Sequence, residues 1–210
     1  MNQNEPIESP ADLTVFWSWY NQQVLALAIY PGQGSATGLV YTALGLAGEV
    51  GEVCDQVKKI LRDDGNAFTE VRLTKIAGEL GDALWYIAAS AREIGADLQN
   101  LADACASMSE LADGPMETIP GFGTPTAAAA CALTLDDAVG KFSRKVVDWL
   151  SFEGHPGEQP RVTELLIVFG MWLMAVDSLA LNPRDVAITN VQKLFSRKAR
   201  GVLSGDGSAR

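Results

Sequence analysis

Only three cysteines and one histidine occur in 210 residues, and that scarcity removes several chemistries at once. Cys54, Cys105 and Cys131 are widely spaced, which fits buried thiols in a reducing cytoplasm rather than a disulfide framework or a zinc site. His155 sits in a Gly/Pro-rich loop and reads as solvated surface, so no Ser/His or Cys/His arrangement for covalent catalysis is visible. A carboxylate-bridged di-iron bundle is excluded on the same ground, because it needs Glu-x-x-His on two helices. No apolar run approaches the ~20 residues that cross a bilayer. Met1 to Pro10 is polar and acidic, with neither a basic start nor an apolar core, so neither secretion nor a membrane partner is expected. Basic residues are few, 16 against 26 acidic, and a net charge of −10 argues against a nucleic-acid partner.

What is present is helical. Ala, Leu, Val and Glu dominate over the β-branched and aromatic mix of sheets, and no segment reads as a strand. Ser9-Pro10 resembles a cap followed by proline at the first helical position, and Leu13, Phe16, Trp17, Tyr20, Val24 and Leu27 recur at helical spacing until Tyr30-Pro31-Gly32. A second helix is predicted from about Gly38 to Arg62, with Leu44, Val53, Val57, Ile60 and Leu61 toward the core. The turn Asp63-Asp64-Gly65-Asn66 separates it from a third helix over about Thr69 to Ile94, and a fourth runs from about Asp97 to Leu111. Asp113 to Thr126, with Pro115, Pro120 and Pro125, reads as a linker. Further helices follow over about Thr134 to Phe152, Thr163 to Ala180, and from Asn182-Pro183 to about Leu203.

The acid is unevenly shared. Residues 1–112 hold 15 acidic against 6 basic residues, and residues 113–210 hold 11 against 10. The halves also align weakly: Gly51 to Leu61 can be laid over Gly140 to Leu150, each followed by a glycine-containing loop and a tryptophan helix (Trp85, Trp172). The expectation is an all-α bundle of two related halves. These are residues 1–112 and 131–210 with a linker over 113–130, or else one domain with a long insertion.

Chemistry is concentrated in Glu49-Val50-Gly51-Glu52 and Glu79-Leu80-Gly81-Asp82. Residues i and i+3 share a helix face with Cβ atoms ~5–6 Å apart, so each helix can present two carboxylates together. The intervening turn folds the two pairs toward one space, where they would repel unless a cation neutralised them. Oxygen donors select Mg²⁺ or Mn²⁺, and magnesium favours sites shared with substrate phosphates. Gly48, Gly51, Gly78 and Gly81 each lower helix stability by up to ~1 kcal/mol relative to Ala, which suggests close approach of a helix or a phosphate.

Tyr30-Pro31-Gly32, the run Leu39 to Val53, Lys58-Lys59, Arg62-Asp63 and Gly78 to Tyr86 together resemble the MazG-like nucleoside triphosphate pyrophosphohydrolases. The resemblance covers about residues 13–105. It implies the all-alpha NTP pyrophosphatase fold, a nucleoside triphosphate substrate cleaved to monophosphate and pyrophosphate, and Mg²⁺ (or Mn²⁺) held by Glu49, Glu52, Glu79 and Asp82. Glu49 or Glu52 would orient the attacking water, and Tyr86 matches an aromatic near the sugar. Lys58 and Lys59 belong to the matching pattern and are candidate substrate contacts. Family members usually close with Asn-x-x-Lys-Leu-x-x-Arg soon after the second acidic helix, but this chain has Cys105, Met108 and Ala112 there. The pattern stands instead at Asn190, Lys193, Leu194 and Arg197, while the second-half positions laid over the four acids are about Ala138, Lys141, Leu166 and Phe169. One half keeps the acids and the other the bases, which is the expectation for an internal pseudo-dimer with one composite site; such a chain can still pair with itself. A deoxynucleotide, dGTP or a pyrimidine dNTP, is the leading substrate class. The alternative is a catalytically silent nucleotide-binding or regulatory protein of the same fold.

Overall fold

A computed structural model describes residues 8–111, 123–150 and 159–202. Seven α-helices and no strand occur among them: α1 (Leu13–Leu25), α2 (Ala36–Asp63), α3 (Glu70–Glu93), α4 (Leu98–Leu111), α5 (Pro125–Leu150), α6 (Val162–Ser178) and α7 (Pro183–Ala199). His155 and most of the expected linker lie outside the described residues, whereas the last helix, expected to reach about Leu203, ends at Ala199, where Arg200 caps it and Gly201 takes a positive φ. No single helix is long and apolar enough to cross a membrane among those described.

The helix ends follow local chemistry. Thr69 caps α3 by accepting from the Arg72 amide, and Asn182 caps α7 by accepting from the amides of Arg184 and Asp185 with Pro183 behind it. At α1 the cap is Asp12, whose carboxylate accepts from the Thr14 amide at 2.9 Å; it is not Ser9. Ser9 and Pro10 are instead held by the Arg184 guanidinium, which also donates to the Ala11 carbonyl at 2.9 Å. Helix α5 starts at Pro125, well before Thr134, because the Ala127–Ala132 run is itself strongly helix-forming.

Helices α2, α3, α6 and α5 form a closed ring in which each packs on the next, and α1, α4 and α7 cover the α3/α6 side. One apolar core runs through both halves, from Phe16 and Leu46 to Phe142, Trp172 and Val191. The hairpin of α2 and α3 turns on Gly65 and Asn66, both at positive φ, and Arg72 locks it by donating to Asp64 at 2.7 Å and to Gln56 at 2.7 Å. Val53, Val57 and Ile60 face the core as expected, whereas Leu44 and Leu61 are 69% and 48% exposed. The buried stripe of α2 runs through Leu39, Thr42, Ala43, Leu46, Glu49, Val50 and Val53, and Leu44 and Leu61 point off it.

The glycines divide into two kinds. A Cβ at Gly45 would stand 2.1 Å from the Tyr86 ring, so Tyr86 lies flat on α2 only because Gly45 has no side chain. A Cβ at Gly81 would meet the Asn190 side chain at 3.1 Å, so α7 comes close to α3 there. Gly48, Gly51 and Gly78 face open space, so helix packing does not account for them. Gly48→Ala should therefore raise stability by up to about 1 kcal/mol in urea unfolding, through helix propensity alone. Gly45→Ala should lower it by about 1–3 kcal/mol by overpacking against Tyr86. Equal effects at the two positions would contradict this packing.

Candidate active site

The i, i+3 spacing brings acids from α2 and α3 together. One carboxylate oxygen each from Glu49, Glu79 and Asp82 lie within 4.8 Å of one another, with Glu49 and Asp82 on the buried side of their helices. Glu52 is exposed and outside this group. Three residues advance a helix by about 300°, so two side chains at this spacing diverge by about 60°. Glu49 uses the inward direction and Glu52 the outward one. The donor set is all oxygen, two of the three acids are buried, and the charge is concentrated, which suits a hard divalent cation.

Asp82 is tied to α7 through both oxygens. Asn190 donates to Oδ1 at 3.0 Å, and the Lys193 ammonium contacts Oδ2. Asn190 accepts in turn from the Tyr20 hydroxyl at 2.9 Å, so a buried chain links α1, α7 and α3. Trp172 on α6 donates its indole N–H to the Leu80 carbonyl at 2.9 Å and fixes the same stretch of α3 from the other side. Arg197, one turn past Lys193, lines a cleft of about 190 Å³ together with Glu49, Asp82 and Tyr86. Its remaining walls are Leu27, Ile29, Tyr30, Tyr41, Trp85 and Leu194.

Lys58 and Lys59 are not brought to this cleft. Both pair with Asp55, at 2.5 and 2.6 Å, and their hydrogen bonds pull its carboxyl down to about 2. They stand nine and ten residues beyond Glu49 along α2, about 13–15 Å at the rise of an α-helix.

An aromatic wall flanks the carboxylates. Tyr30 stacks on Tyr41 with ring centroids 5.4 Å apart and meets Trp85 edge-on at 5.9 Å, and Trp85 meets Tyr86 edge-on at 4.7 Å. The loop bearing Tyr30 is anchored by Glu93, whose side chain is fully buried: it accepts from the Tyr30 hydroxyl at 2.6 Å and from the Gly34 amide at 2.7 Å. Arg92 also donates to the Tyr30 hydroxyl, at 2.6 Å, and to Gln33 at 3.0 Å. Glu93 and Tyr20 escaped the sequence reading. Glu93 left one clue, a carboxylate in the last turn of α3 where the helix dipole disfavours it, which calls for a compensating partner.

Residues 40–110 match the family model of the MazG nucleotide pyrophosphohydrolase domain. Over 70 residues it is 46% identical to the Gene 37 protein of Mycobacterium phage L5, a match covering 32% of this chain and 61% of that one. No solved structure matches. The matched segment spans most of α2, all of α3 and nearly all of α4, and so contains the three converged acids and Tyr86. Asn190, Lys193 and Arg197 lie beyond it.

Burial of the phenols has a measurable consequence. Burial, reinforced by the Asp82 charge, raises the Tyr20 hydroxyl well above its ordinary 10.0. Burial and the Glu93 hydrogen bond push Tyr30 to about 12, and burial with the neighbouring Tyr41 and Glu49 raises Tyr86. The folded state thus favours the protonated phenols, a contribution complete below pH about 10 and lost as pH rises through the raised values. Ultraviolet titration of tyrosinate should show Tyr20, Tyr30 and Tyr86 ionising only above the ordinary range, together with alkaline unfolding. Tyr30→Phe should remove its part of that alkaline loss. Ionisation of all four tyrosines near pH 10 in the folded protein would contradict the burial described.

Proposed function

We propose that this chain is a metal-dependent hydrolase that splits a nucleoside triphosphate into monophosphate and pyrophosphate. The observation that supports it most is the convergence of Glu49, Glu79 and Asp82 inside the MazG-matching segment, with Glu49 and Asp82 lining a cleft that aromatic side chains and Arg197 also border. These three acids would hold Mg²⁺, with Mn²⁺ as a substitute. Bound there, a divalent cation would offset phosphate charge and lower the pKa of a coordinated water.

The remaining roles follow from placement. Of the two carboxylates expected to orient the attacking water, Glu49 is the one that lines the cleft, whereas Glu52 is exposed and turned outward. Arg197 would stabilise charge on the departing pyrophosphate from the cleft edge. Tyr86 would give the sugar a flat, largely apolar wall. Such a wall suits deoxyribose better than ribose, whose 2′-hydroxyl would be buried there without an assured partner. Lys58 and Lys59, engaged with Asp55, have no part in this scheme. We read the α2–α3 and α5–α6 hairpins as the two arms of an internal pseudo-dimer, one arm supplying acids and the segment after the other supplying α7. Three reduced thiols and a magnesium requirement suit the cytoplasm, and control of a nucleotide pool is the role that fits such a reaction.

The test is chromatography of each NTP and dNTP after incubation with Mg²⁺ or Mn²⁺, beginning with dGTP and the pyrimidine deoxynucleotides. Monophosphate and pyrophosphate should form, and Glu79→Gln should reduce the rate by about 100-fold or more. Diphosphate with orthophosphate would refute the bond assignment. Binding of nucleotide and metal without turnover of any nucleotide would favour the catalytically silent reading.

A further inference from the structure

The two groups that hold Asp82 differ in their freedom to leave. Asn190 is 2% exposed, is held from behind by the fully buried Tyr20, and packs where Gly81 has no side chain. The Lys193 side chain is 31% exposed and carries its ammonium on a flexible four-carbon stem. Its ammonium touches Asp82 Oδ2, at the edge of the Glu49–Glu79–Asp82 group. A divalent cation coordinated by Asp82 would meet that ammonium as a like charge at contact distance. One of the two must yield, and only Lys193 has somewhere to go. Arg197 lies one turn further along the same face of α7 and borders the open cleft, so an ammonium released from Asp82 is within reach of that opening.

We propose that Lys193 is a resident counter-ion of the metal centre, exchanged for the divalent cation and thereby released to an incoming polyphosphate. The proposal rests on the metal-dependent reading above and adds a coupling between its two ligands. Without metal, Lys193 offsets part of the charge of three crowded acids and keeps α7 docked on α3. Metal entry moves the ammonium toward the cleft, where a triphosphate is its new partner. A polyphosphate that draws Lys193 away in turn vacates Asp82 for the cation. By linkage each ligand favours the other. Asn190 stays on Oδ1 throughout and acts as a positioning residue for Asp82.

The experiment measures Mn²⁺ binding to the nucleotide-free full chain by calorimetry and by the paramagnetic resonance of unbound Mn²⁺. Lys193→Met should tighten Mn²⁺ by roughly tenfold, within the usual range of coupling between sites. Lys193→Arg, which keeps the charge, should stay close to wild type, and Asn190→Ala should weaken binding by releasing Asp82. Circular dichroism of each variant checks the fold. A second measurement needs no variant for its readout: with ¹⁵N-labelled lysine, the Lys193 ammonium should be protected from solvent exchange without metal and lose protection on adding Mg²⁺, with Lys193→Met serving only to assign the signal. Unchanged or weaker Mn²⁺ binding in Lys193→Met, or a Lys193 signal indifferent to saturating Mg²⁺, would overturn the exchange and leave the metal site standing. Absence of Mn²⁺ binding in wild type and variants alike would overturn the metal reading itself.

Discussion

Three carboxylates held within 4.8 Å of one another, two of them on buried residues, repel in a medium that screens poorly, and the surrounding helices are arranged to tolerate that repulsion. Lys193 brings a positive charge to one oxygen of Asp82, and Asn190 brings a neutral donor to the other. Both come from α7, the last described helix, while the acids come from α2 and α3. Docking α7 therefore does more than cover apolar surface. It supplies the local compensation that lets acids occupy a helix interface, and the absent side chain of Gly81 permits the approach.

The same logic extends outward. Tyr20 is buried beneath Asn190 and fixes its amide, so the first helix also bears on the acids although none of its side chains belongs to the carboxylate group. On the far side of the cleft, Glu93 buries a charge against the Tyr30 hydroxyl and the Gly34 amide, which keeps the loop between α1 and α2 folded over the aromatic wall. A buried carboxylate with hydrogen bonds to both oxygens adds local specificity more than net stability. Converged acids, a tied aromatic wall and basic groups from α7 leave one open face, the geometry expected for binding a polyanion through a cation.

Much of this was legible in the residues. The acidic pairs, the Asp63–Asn66 turn and the Asn182-Pro183 start are local signals, set by spacing and by hydrogen bonds within a few residues, and the structure carries the last two as expected. The pairing of acids on α2 and α3 was legible for Glu49, Glu79 and Asp82, because helical spacing determines which residues share a face. It was not sufficient for Glu52, since neighbours on one face still diverge enough for one to turn outward. Leu44 and Leu61 mislead for the same reason: apolar residues on a long helix do not reveal which stripe the neighbours cover. Lys58 and Lys59 match a sequence pattern but follow their nearest charge, Asp55. Tyr20 and Glu93 depend on partners 170 and 63 residues away, at Asn190 and Tyr30, and no local pattern reports such contacts.

The central claim, that segments from distant parts of one chain build a single metal centre around Asp82, is tested most directly by anomalous diffraction from crystals soaked in Mn²⁺. The account predicts a peak at coordination distance from Glu49, Glu79 and Asp82, with Asn190 still on Asp82 and the cleft open beside Arg197. A peak elsewhere, such as among the acids at the Asp63–Asp64 turn, with none at Asp82 would contradict it.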